Sequence, residues 1–82
     1  MKYLTVALKD FCNNDSQYVC AKKAVKYAKD MHKLTLQLHE FNPEVHPEIE
    51  VVRDYMDMMR AEALLKQIEA ELTLEFLKNN KV

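Results

Sequence analysis

Glycine is missing from this chain altogether. Average usage of about 7% would place roughly six in a chain of this length. Glycine supplies the positive-φ positions of tight turns and lets backbone close on phosphate. Its absence removes Gly-rich nucleotide loops and most two-residue β-hairpins. Proline occurs twice, at Pro43 and Pro47. No apolar run approaches the roughly 20 residues needed to cross a bilayer, so no membrane span is expected. The opening Met1-Lys2-Tyr3-Leu4-Thr5-Val6-Ala7-Leu8 has a faint look of a secretory signal. Lys9 and Asp10 interrupt it, however, and no small-residue cleavage site follows. The expectation is a soluble, cytoplasmic protein whose Cys12 and Cys20 stay reduced, with a bridge across the turn between them as the alternative.

What remains is helical in bias. Ala, Leu, Lys, Glu and Met are abundant, and all five favour helix. The 82 residues, 49% hydrophobic and 30% charged, suit one folded domain spanning 1–82 with one modest core. Net charge is −1, but the charges are unevenly placed. Residues 1–41 carry seven basic and four acidic side chains, and residues 42–75 carry three and nine. Two complementary helices side by side would explain that split, as would two differently charged surfaces.

The first segment, about Tyr3 to Cys12, fits a helical face through Leu4, Leu8, Phe11 and Cys12, or a strand face through Leu4, Val6 and Leu8. A lone strand would have nothing to pair with, so helix is preferred. Asn13-Asn14-Asp15-Ser16 is a turn rich in N-cap residues, with Asn14 or Asp15 as cap and Gln17 placed for a capping box with Asn14. The second helix should then run to about Phe41, where Asn42-Pro43 stops it. Along it Cys20, Ala24, Tyr27, Met31, Leu34, Leu38 and Phe41 recur at alternating steps of four and three, which predicts an apolar seam. Pro47 is placed as the first residue of a third helix, with Glu48 near its positive end, running to about Lys78 before Asn79-Asn80.

The third helix carries two apolar stripes. One contains Ile49, Val52, Tyr55, Met56, Met59 and Ala63 and continues through Ala70, Leu74 and Leu77. The other contains Ala61, Leu64, Leu65, Ile68, Leu72 and Phe76 and lies nearly opposite. One stripe should pack on the second helix, and the other should meet the short first helix, a second copy or another protein. The expected architecture is all-α, a three-helix arrangement dominated by an antiparallel hairpin and assembling as a two-fold homodimer. Leu64, Leu65, Ile68, Leu72 and Phe76, with Met58 beside them, are the predicted protein interface. Met56 and Met59 are expected to fill the core instead.

Lys22, Lys26, Lys29 and Lys33, with Lys23 beside them, follow i, i+4, i+7, i+11 spacing. Four ammonium groups over ~16 Å suit an acidic protein groove or a phosphate backbone, and equally a plain solvated helix face. The stripe has no Arg and no interleaved aromatic, so base-specific reading is not expected. Glu50, Asp54 and Asp57 share a face of the third helix, but Asp30 and Glu40 are roughly 15 Å apart and cannot complete one ion site with them. His32, His39 and His46 recur every seven residues, not at metal-ligand spacing. No catalytic, cofactor or metal residues are therefore assigned. The expected function is a small non-enzymatic interaction protein, an inhibitor, adaptor or assembly factor, in a style common among small phage and mobile-element proteins. The alternative is a nucleic-acid-binding regulator using the lysine stripe.

Overall fold

In the computed structural model, residues 2–79 are described, with side chains from Val6 onward. The expected roles of Leu4 and Asn80 lie outside these. Three helices follow one another: α1 (Lys2–Asn13), α2 (Ser16–Phe41) and α3 (Glu48–Asn79). Among the described residues there is no strand and no positive φ, so the chain makes both its turns without needing glycine. The first segment is helical.

Asp15 caps α2 from an extended conformation, φ −86° and ψ 119°, and its carboxylate accepts from the Tyr18 N–H at 3.0 Å. Asp15, not Asn14, therefore satisfies the free end of the helix. At the far end Asn42 leaves helical geometry, as a residue before proline must, while its N–H still reaches the Leu38 carbonyl at 2.9 Å. The His39 Nδ1–H donates to the His46 carbonyl at 2.7 Å and ties the end of α2 across the turn. Pro47 stands just before α3, accepting from the Glu50 N–H at 3.0 Å. Glu48 and Glu50 in the first turn and Lys78 in the last complement the α3 dipole.

α2 and α3 lie antiparallel, as Tyr18–Glu69, Lys29–Glu62 and His32–Tyr55 contacts show. α1 folds back on one end of this hairpin, setting Phe11 against Phe76 with ring centroids 5.6 Å apart. There Cys12, Ala21, Ile68 and Leu72 form the core, flanked by Leu8, Phe11, Tyr18 and Leu65. The remainder of the rod, 59 Å long and about 20 Å across, is two helices thick.

Two expectations are corrected here. The least exposed face of α2 is Tyr18, Ala21, Val25, Ala28, His32, Thr35 and His39, about 100° around the helix from the predicted seam. Small Ala21, Val25 and Ala28 let α3 come close. The polar members are satisfied locally, with Thr35 Oγ1 donating to the Met31 and His32 carbonyls at 2.8 and 3.0 Å. Of the predicted seam only Met31 and Leu38 are even half-buried, while Tyr27 and Phe41 are 69% and 88% exposed. The second correction concerns α3. Leu65, Ile68, Leu72 and Phe76 are covered by the chain's own α1 and α2, so they are not left over as an interface. Leu64 alone of that stripe is half exposed. Met58 is half-buried, whereas Met56 and Met59 face solvent, the reverse of the expectation.

Candidate functional site

The lysine stripe survives as a surface. Lys22, Lys23, Lys26, Lys29 and Lys33 are all exposed. Lys22, Lys26 and Lys29 border a shallow groove of about 350 Å³ whose floor includes Val25 and Leu65. The groove is not purely basic. Asp30 lines it, and Lys29 Nζ lies 3.7 Å from Glu62 Oε1 on the facing helix. Lys22 sits over the Tyr18 ring, its Nζ 5.4 Å from the centroid. An ion pair this exposed contributes about 0–1 kcal/mol, so Lys29 remains free to exchange partners. Lys23, Lys26 and Lys33 form no ion pair among the described residues.

The acidic set of α3 is dispersed rather than gathered. Glu50 meets His46 at 3.4 Å, while Asp54 and Asp57 line a small cavity with Tyr27, Ala28 and Met31. His32 packs its ring on Tyr55, centroids 5.5 Å apart, and His39 serves the turn. Among the described residues no three His, Cys, Asp or Glu side chains converge as a metal site. Cys12 is buried and Cys20 exposed, and neither is bridged.

A half-buried polar cluster surrounds the buried Cys12 where the three helices meet. Burial pushes the Cys12 thiol up from its ordinary value, and the nearby Glu69 and Asp15 carboxylates add to it. Tyr18 is raised by burial, then by Glu69 and Cys12, and its hydroxyl donates to Glu69 Oε1 at 3.4 Å. Both groups are favoured in their neutral forms when folded. The stability they contribute is complete below the ordinary thiol range and is lost as pH rises through their raised values. Urea midpoints measured from neutral pH upward should therefore fall on the alkaline side. Tyr18→Phe should flatten the upper part of that decline, and an unchanged profile would deny the cluster this role.

The surfaces that sequence reading missed are the apolar ones. On α2 the outward stripe is Tyr27, Leu34 and Phe41, with Met31 and Leu38 at its edge. On α3 it is Ile49, Val52, Met56 and Met59, continued by Leu74 and Leu77. Ile49, Val52 and Met56 line a cleft with Arg53, Asp57 and Arg60. The available signal was the second heptad set in α2, made of small and polar residues, which fits closer helix packing than Tyr27 and Phe41 allow. No known protein family, curated protein or solved structure matches this chain.

Proposed function

We propose that this protein works by binding another protein, as an inhibitor, adaptor or assembly factor, and that the outward face of α2 makes the contact. The observation that carries the reading is the exposure of Tyr27 and Phe41, 69% and 88%, at heptad spacing with Leu34. Large aromatic side chains exposed along one line of a well-formed helix suit a partner's pockets, because interface cores and their anchors are enriched in aromatic residues. Lys23, Lys26 and Lys33 stand beside this stripe, exposed and free of ion pairs among the described residues. The matching partner is a segment with an apolar face and an acidic flank, as in helix-in-groove recognition.

The experiment is affinity capture from the native cell with wild type and with a Tyr27→Ser/Phe41→Ser variant. Both side chains are exposed, so the variant should keep its helical circular dichroism and lose the captured protein. Equal capture by the two forms would reject the α2 face. The exposed lysines also favour a second reading, binding of a phosphate backbone without sequence preference. In that case a nucleic-acid gel shift would weaken steeply with salt and disappear in Lys26→Glu/Lys29→Glu. No shift at low salt would leave the protein partner as the reading.

A further inference from the structure

The outward stripe of α3 differs from that of α2 in the charges beside it. Ile49, Val52, Met56, Met59 and Ala63 occupy alternating a and d positions over two heptads, all of them exposed. In this frame Glu48, Tyr55 and Glu62 hold the g positions, and Arg53 and Arg60 hold the e positions. One flank is thus acidic or neutral and the other basic. Among the described residues, no ion pair within the chain takes up Glu48, Arg53 or Arg60.

We infer that a second copy of this chain covers the α3 stripe, pairing α3 with α3 in parallel about a two-fold axis. Parallel pairing sets each g residue against the e residue five positions on in the other helix. Glu48 then meets Arg53 of the second copy twice over by symmetry, and Tyr55 lies beside Arg60. Antiparallel pairing would instead set g against g and e against e, crowding Arg53 and Arg60 together. The α2 stripe offers no such pairing, since in its own frame Lys23, Asp30 and Gln37 hold the g positions against uncharged Ala28 and Thr35 at e.

Surface area agrees. The chain exposes 6746 Å² at 9.7 kDa, where a compact monomer of that mass exposes about 5100 Å². A standard interface takes about 800 Å² from each partner, so the rod can give up that much and still expose more than a compact chain. The radius of gyration, 17.4 Å against about 12 Å for a compact domain of this length, expresses the same excess.

This inference rests on the reading of the protein as a binding module but uses a different helix, so the two fail separately. Sedimentation of the full chain across micromolar concentrations should show a monomer–dimer equilibrium. Arg53→Glu should raise the dissociation midpoint about tenfold, and adding Glu48→Arg should largely restore it. In a Cys20→Ser background, Val52→Cys should oxidise to a covalent dimer, because opposed d positions in a parallel pair lie within disulfide reach. Leu34→Cys in the same background should not. A monomer at every concentration, cross-linking through position 34 alone, or tighter association of Arg53→Glu would overturn the proposal. Loss of dimer with capture through Tyr27 and Phe41 intact would leave the protein-binding reading standing.

Discussion

Leu72→Ala should cost about 2–5 kcal/mol of stability, the range for emptying a buried leucine site. A chain of this size has only about 4–12 kcal/mol in total, so the variant should be partly unfolded at modest urea. Leu72 sits in the small core with Cys12, Ala21 and Ile68, at the one place where α1, α2 and α3 all meet. Few other side chains can make up the loss, because only six hydrophobic residues are buried among those described. Leu74, two positions along the same helix, is 68% exposed. Leu74→Ala should therefore move stability by no more than about 0.5 kcal/mol. Urea titrations with a common slope compare the two variants directly. Equal midpoints would mean that α3 does not turn its Ile68-Leu72-Phe76 side inward.

Ala21→Asp should be nearly as damaging, at about 3 kcal/mol or more, because it places a short carboxylate on the buried face of α2 among Cys12, Ile68 and Leu72, a core cluster that holds no cation. A lysine there would be a weaker test, since its long stem can carry the charge out to water. Leu34→Asp, on the outward face, should stay within about 0.5 kcal/mol of wild type. The pair separates two ways of laying α2 on α3. If the apolar line through Ala24, Tyr27 and Leu34 faced inward, Leu34→Asp would be the variant that unfolds.

Much of the architecture was legible from local chemistry. Asp15, Asn42-Pro43 and Pro47 mark helix ends because capping and proline sterics act within a few residues. The two stripes of α3 were also readable, since they follow from one helix and its period. What could not be read was which stripe faced which helix. Apolarity ranks the Tyr27 line of α2 above the Ala21 line, but close packing favours small side chains, and that preference depends on the partner surface. Thr35 and His39 look unfit for a buried face until their partners are known to be carbonyls of Met31, His32 and His46. The same dependence governs the other stripe of α3. Leu65, Ile68, Leu72 and Phe76 were expected to need a partner because α1 looked too short. Phe11 and Cys12 of α1, reaching across the end of the hairpin, join Tyr18 and Ala21 of α2 in packing around them. The lysine stripe was found at once, yet its contact with Glu62 was not, because helix rotation sets it.

The rotation of α2 decides which side chains are core and which are offered to others, and the two cysteines report it without any engineering. Cys12 lies in the core, and Cys20 on the outward side of α2. A colourimetric thiol assay on the native protein at neutral pH should give one group reacting at the rate of a free thiol, assigned by peptide mapping to Cys20. Cys12 should react only as fast as the protein unfolds. A native protein in which Cys20 is as protected as Cys12 would show that the line from Cys20 to Phe41 is the packed seam, and the outward apolar face of α2 would not exist.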